Sequence, residues 1–148
     1  MHNALLSEIL AATSSLREDE VIPNGRAQKM AYLQAVVKEG MRWHPPVAGM
    51  LSRKVPAAGD EWKGVSLPPG TEVGYSAWGV MHDEGFWGED AGQFRPERWL
   101  DADAPRLKAM DATLGLTFGY GRWQCLGKYV AWMELNKVFV EVSGWLRL

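Results

Sequence analysis

The residues best suited to chemistry lie in one run, Phe118-Gly119-Tyr120-Gly121-Arg122-Trp123-Gln124-Cys125-Leu126-Gly127, which holds the chain's single cysteine. Gly119, Gly121 and Gly127 allow turns with positive φ and a close approach of the backbone to a flat or bulky ligand. Cys125 is then expected to stand exposed in a tight cup. Gly127-Lys128 opens a helical stretch, so the sulfur falls near the positive end of a helix dipole, which favours an anionic sulfur able to ligate a metal. The alternative for a lone cysteine is a small buried hydrophobe. A second pair of interest is Glu39 and Arg42, three residues apart on a predicted helix and therefore neighbours on its surface. On a solvated face such a pair is worth roughly a few tenths of a kcal/mol. Tyr32 and Val36 give this face apolar character, so a carboxylate there needs a partner.

The elements that must position these residues follow from pattern and punctuation. Asn3 can cap a first helix with Leu5, Leu6, Ile9 and Leu10 at helical spacing, read as a short surface helix before a charged loop at 17–20. Pro23-Asn24-Gly25 marks a turn, and Met30, Leu33, Val37 and Met41 predict a helix over 27–44 that stops before Pro45. His44 reads as a helix-end hydrogen-bonder. Strands and a hairpin are expected over 47–77: an extended segment from Val47 to Val55, then Val65-Ser66-Leu67 paired with Glu72–Ser76 through a Pro68-Pro69-Gly70-Thr71 type II turn. Residues 78–117 read as an irregular meander, 118–127 as the ligand loop and 128–142 as a final helix. In that helix Ala131, Leu135, Val138 and Val142 form an apolar stripe, with Glu134, Lys137 and Glu141 polar and Ser143-Gly144 as the stop. The class is mainly α with small β-hairpins.

Composition sets the limits. A length of 148 residues with 47% hydrophobic content suits one globular domain. A net charge of −2 argues against a nucleic-acid or anionic-membrane surface, leaving a small molecule as the expected partner. One cysteine cannot close an internal disulfide, and His2, His44, His82 and Cys125 are too scattered for a zinc site. No signal peptide or membrane span is read. Eight tryptophans, concentrated from Trp62 onward, suit a wall folded around a cofactor, with a Trp-rich core as the alternative.

Glu39-x-x-Arg42, the segment Phe94-Arg95-Pro96-Glu97-Arg98-Trp99 and Phe118-x-x-Gly-x-x-x-Cys125-x-Gly127 together resemble the C-terminal part of the cytochrome P-450 haem-thiolate monooxygenases, most closely fungal members. The resemblance covers nearly the whole chain, and three motifs in the family's order are specific jointly. It implies the C-terminal portion of that fold and a haem b cofactor whose iron takes Cys125 as axial thiolate, with Phe118, Gly119, Gly121, Arg122, Trp123 and Gly127 around it. It implies a buried structural triad of Glu39, Arg42 and Arg98, and a pairing of Arg53 with a haem propionate on a strand beside the cofactor. Where the family commonly has a basic residue two positions before the cysteine, this chain has Trp123, with Arg122 beside it.

The activity implied is insertion of one oxygen atom of O₂ into a small organic substrate, with electrons from an NADPH-dependent reductase. The setting implied is fungal secondary metabolism at the endoplasmic reticulum. The family's oxygen-activating helix, membrane anchor and last hairpin find no counterpart between Met1 and Leu148, so no catalytic residue is assigned. On this reading the chain is a fragment, and the alternative is a non-catalytic remnant that binds haem weakly or not at all. Half a pocket would leave apolar faces uncovered, and poor solubility or partial disorder is expected in isolation.

Overall fold

The computed structural model describes residues 2–17 and 19–146. In chain order it contains α1 (His2–Thr13), α2 (Asn24–Ala27), α3 (Ala31–Trp43), β1 (Met50–Lys54), β2 (Asp60–Trp62), β3 (Val65–Leu67) and β4 (Glu72–Ser76). There follow α4 (Ala77–Met81), α5 (Glu84–Trp87), α6 (Arg98–Asp101), α7 (Ala104–Gly115), two 3-10 turns (Leu116–Phe118 and Gly121–Trp123) and α8 (Lys128–Leu146). The fold is mainly α with two small antiparallel sheets, as the sequence pattern implies.

Helix α3 is the hub, packing against α1, α6, α7 and α8. Leu33, Ala35, Val37 and Met41 bury one face of it in the core, and Glu39 and Arg42 are buried with them. It starts at Ala31 rather than 27, because Asn24–Ala27 form a separate turn of helix and Met30 is extended. Its first free N–H groups are satisfied from outside: Tyr32 N and Leu33 N donate to the Glu8 carboxylate at 3.1 and 2.8 Å. That contact makes α1 more than a surface helix. Ile9 is 1% exposed in the core, and Asn3 lies inside α1 rather than capping it.

The expected hairpin between 65–67 and 72–76 is wrong in its pairing. The Pro68–Thr71 turn is present, with Gly70 at φ +79° and Thr71 N donating to Pro68 O at 3.2 Å. Its two flanking strands join different sheets, however: β2 pairs with β3, and β4 pairs with β1. Lys63 and Gly64, at φ +49° and +80°, make the two-residue turn of the β2–β3 hairpin. In the β1–β4 pair the register sets Leu51 opposite Tyr75 and Arg53 opposite Val73. The strands approach so closely at Gly74 that a Cβ there would stand 2.5 Å from Leu51 O. Gly74→Ala is therefore expected to cost about 1–3 kcal/mol, the usual range for forced overpacking. Urea denaturation is the measurement, and a loss below about 0.5 kcal/mol, within the ordinary surface range, would contradict it.

The meander is more regular than its sequence suggests, with three short helices and the 12-residue α7 between Ala77 and Gly115. Asp103 caps α7 by accepting from Arg106 N at 2.8 Å, and Pro105 sits in the first turn. Helix α8 runs past Ser143-Gly144, since one glycine inside a helix costs only about 1 kcal/mol. Its buried face is also not the expected one. Asn136 and Val140 are buried, whereas Val138 and Val142 are about half exposed. Gln34 Nε2 donates to Asn136 Oδ1, and Asn136 Nδ2 to Asn24 Oδ1, tying α8 to α2 and α3. The tryptophans divide between both readings: Trp87 and Trp99 are core, and Trp62, Trp78 and Trp123 are exposed. His44 ends α3 with its N–H donating to Gly40 O at 2.9 Å, and its exposed ring stands edge-on to Trp78 at 6.2 Å.

Candidate cofactor site

The ligand loop is shaped by two glycines and one backbone bond. Gly119 at φ +74° and Gly121 at φ +61° turn the chain through a conformation that other residues resist. Cys125 N donates to Phe118 O at 2.8 Å, closing the loop, and Lys128 N donates to Cys125 O at 3.3 Å as α8 begins. At Gly127 a Cβ would make an ordinary contact with Cys125 Sγ at 3.7 Å, so neither space nor dihedral demands glycine there. The cysteine is exposed, and the loop leaves its sulfur open.

Two neighbouring cavities meet at this loop. One, of about 400 Å³, is walled chiefly by Pro46, Val47, Leu51, Phe118, Ala131 and Cys125 and is apolar. The other, also of about 400 Å³, is lined by Ser52, Arg53, Lys54, Arg122 and Trp123. Arg53 and Trp123 line both. Strand β1 thus supplies Leu51 to the apolar side and the Arg53 cation to the boundary, and its pairing with β4 holds them there. Among the described residues none of Arg53, Lys54 and Arg122 is paired with a carboxylate.

Glu39, Arg42 and Arg98 come together in a separate, buried cluster. Arg42 reaches both oxygens of Glu39, at 2.9 and 2.8 Å, and Arg98 Nε donates to Oε1 at 3.0 Å. Arg95 N and Trp99 Nε1 complete the carboxylate's partners at 2.9 Å each. Arg42 spends its remaining N–H groups on the carbonyls of Met81, Ala91 and Gln93, which pins the meander to α3. Burial pushes the Glu39 carboxyl up, but the hydrogen bonds from Arg42, Arg95 N and Trp99 outweigh it and hold it below the ordinary carboxylate value. Asp90 is a member that sequence reasoning missed. It accepts from Arg98 Nη1 at 3.0 Å and from Arg95 Nε at 2.6 Å. Burial raises its carboxyl as well, and those two arginines bring it below its usual value. Nothing in the spacing of Asp90 marks it; only the fold brings it to Arg98.

An α-rich fold in which a glycine-turned cysteine loop faces an apolar cavity, beside a buried Glu-Arg-Arg cluster, defines a narrow class. A profile of the cytochrome P450 family matches residues 4–142, and the chain belongs to that family. It is 47% identical over 132 residues to cytochrome P450 monooxygenase ABA1 of Pyricularia oryzae, covering 89% of this chain and 26% of that protein. It is 38% identical to pisatin demethylase of Fusarium vanettenii, covering 84% of this chain and 24% of that one. Against cytochrome P450 monooxygenase ACRTS1 of Alternaria alternata the identity is 40%, over 93% of this chain and 36% of the relative. The chain spans about a quarter of the length of the first of these.

Family membership implies a haem cofactor. The residues present suit one: an open sulfur ligand, an apolar cavity for a flat macrocycle, and unpaired cations beside it for carboxylates. Among the described residues no helix is long and apolar enough to cross a membrane.

Proposed function

We propose that these residues form the haem-binding part of a cytochrome P450 monooxygenase, with Cys125 as the axial thiolate ligand of haem b. The observation that carries the reading is the position of Cys125 on the wall of an apolar cavity whose boundary is the Arg53 guanidinium. When bound, the haem supplies the iron at which dioxygen is activated for insertion of one oxygen atom into a small organic substrate. Cys125 holds the iron and donates charge to it. Phe118, Leu51 and Val47 exclude water from the macrocycle's face, and Arg53 meets its carboxylates. Gly119 and Gly121 keep the loop turned toward the sulfur. Glu39, Arg42 and Arg98 hold the scaffold and touch no reacting atom. An NADPH-dependent reductase is the electron donor this reading calls for.

A second reading, a non-catalytic remnant that binds haem weakly or not at all, is favoured by one observation: the apolar Leu126, Val130, Val138 and Val142 are exposed and lack a covering partner among the described residues. The test that separates the two is a titration of the purified chain with iron protoporphyrin IX. The expected outcome is a saturable Soret change at one haem per chain. An unsaturable, linear change would contradict it.

A further inference from the structure

Nothing in the type or spacing of Tyr75 marks it, yet its hydroxyl donates to Leu116 O at 2.6 Å. Among the described residues this is the one hydrogen bond between the β1–β4 pair and residues 116–127. In the register Tyr75 stands opposite Leu51, and directly opposed side chains share a face of the sheet. Leu51 and Arg53, two apart on β1, line the cavity that Cys125 also lines. Tyr75 therefore rises half-buried from the same face as the cavity wall and ends on the backbone at the root of the cysteine loop.

The carbonyl that Tyr75 holds also shapes the loop. Leu116 O accepts from Gly119 N at 2.9 Å as well, so its two lone pairs serve two donors. Gly119 is the first of the two positive-φ glycines, and Phe118, just before it, offers the carbonyl on which Cys125 N closes at 2.8 Å. Arg53 also reaches the loop, over the Trp123 ring at 5.6 Å with Arg122 on the same ring at 5.0 Å. These three side chains are exposed, and a cation over a ring fixes direction less than a hydrogen bond does. Burial pushes the Tyr75 hydroxyl up, and the Arg53 guanidinium draws it down by less, so the group stays a donor through the neutral range.

We propose that Tyr75 is a positioning residue for Cys125: by holding Leu116 O it sets the cysteine loop against the wall that β1 supplies, and so fixes where the sulfur meets the iron. This rests on the haem-binding reading above. Tyr75 touches no reacting atom and acts through the loop backbone. Loops open locally at a cost set by their own few bonds, so a loop tied at its root opens less often and presents one sulfur position rather than several. Preorganisation of this kind strengthens binding by lowering the ordering cost. Phenylalanine at 75 would keep the packing of the ring and remove only the donor.

The test uses Tyr75→Phe in the full chain, with Val140→Ala in the buried face of α8 as a control for general destabilisation. Amide hydrogen exchange of each ligand-free chain reads the loop through Gly119 N and Cys125 N and the core through Val37 N. Tyr75→Phe should speed exchange of the two loop amides about tenfold and that of Val37 by about threefold or less, the pattern of a lost local bond. Val140→Ala should do the reverse. Each chain is then loaded with iron protoporphyrin IX, reduced and exposed to carbon monoxide. The red-shifted band of thiolate ligation should dominate in the unmutated chain and in Val140→Ala, and should fall to less than about half of the bound haem in Tyr75→Phe. Unchanged loop exchange in Tyr75→Phe, a full red-shifted band there, or an equal loss of the band in Val140→Ala would overturn the positioning role and leave Cys125 ligation standing. Absence of the band from the unmutated chain would defeat the haem-thiolate reading and the positioning role with it.

Discussion

Replacing Glu39 with alanine is expected to cost about 3–5 kcal/mol of stability, the range seen when one member of a buried charge cluster is removed. The size follows from what remains. Arg42 is 0% exposed, and without Glu39 its charge keeps only backbone carbonyls for partners. Arg98 would retain Asp90, while Trp99 Nε1 and Arg95 N would lose their acceptor. Small domains have only about 5–15 kcal/mol in total, so the variant should lose a large share of its stability and unfold at a much lower urea concentration. Glu39→Gln tests the charge apart from the shape and should still lose well over 1 kcal/mol, because an amide cannot neutralise two guanidiniums. Urea denaturation with far-UV circular dichroism measures both, and a loss under 1 kcal/mol for the alanine variant would contradict the role assigned to the cluster.

The same cluster sets an acid limit. The Glu39 and Asp90 carboxyls both titrate below their ordinary values in the folded chain. The stability that their ionised forms add is complete above the unfolded values of about 4 and is lost as pH falls through the depressed folded ones. The urea midpoint should therefore be flat from about pH 8 to pH 5 and fall below about pH 4. In Glu39→Gln that acid-side loss should be smaller.

Helix periodicity and punctuation made α3, the turn at 68–71 and the start of α8 legible, because each rests on contacts within a few residues. What was not legible depended on partners far away in the chain. The Glu8 cap that begins α3 at Ala31 lies more than twenty residues upstream. Strand β4 pairs with β1 rather than with the nearer β3, a choice allowed by the missing side chain at Gly74. The apolar stripe through Val138 and Val142 was read from period alone, and period does not say which face finds a neighbour. Asn136 and Val140 found theirs in α2, α3 and the core. The meander helices were hidden by their brevity, although Asp103 and Pro105 were a usable start signal for α7. At the candidate site, Glu39, Arg42 and Cys125 could be singled out by type and spacing, whereas Asp90 and the double stack on Trp123 exist only in three dimensions.

The second large effect concerns Cys125. Cys125→Ala removes the sulfur from the apolar cavity while leaving the fold untouched, since the side chain is exposed and the loop is closed by its backbone N–H. Stability should change by less than about 0.5 kcal/mol, as for an ordinary surface substitution. Haem affinity should fall at least tenfold, because an axial thiolate bond is lost and no other sulfur or imidazole lines the cavity. Cys125→His is the more informative variant. It offers the iron a neutral ligand from the same position and should restore binding with a different spectrum.

The most direct measurement is therefore the absorption spectrum of the haem-loaded chain, reduced with dithionite and exposed to carbon monoxide. If Cys125 is the axial thiolate, the unmutated chain shows the red-shifted Soret band of a thiolate-ligated carbonyl complex, Cys125→His shows the shorter-wavelength band of a neutral nitrogen ligand, and Cys125→Ala shows no red-shifted band. A chain whose reduced carbonyl spectrum is the same with and without Cys125 would contradict the account.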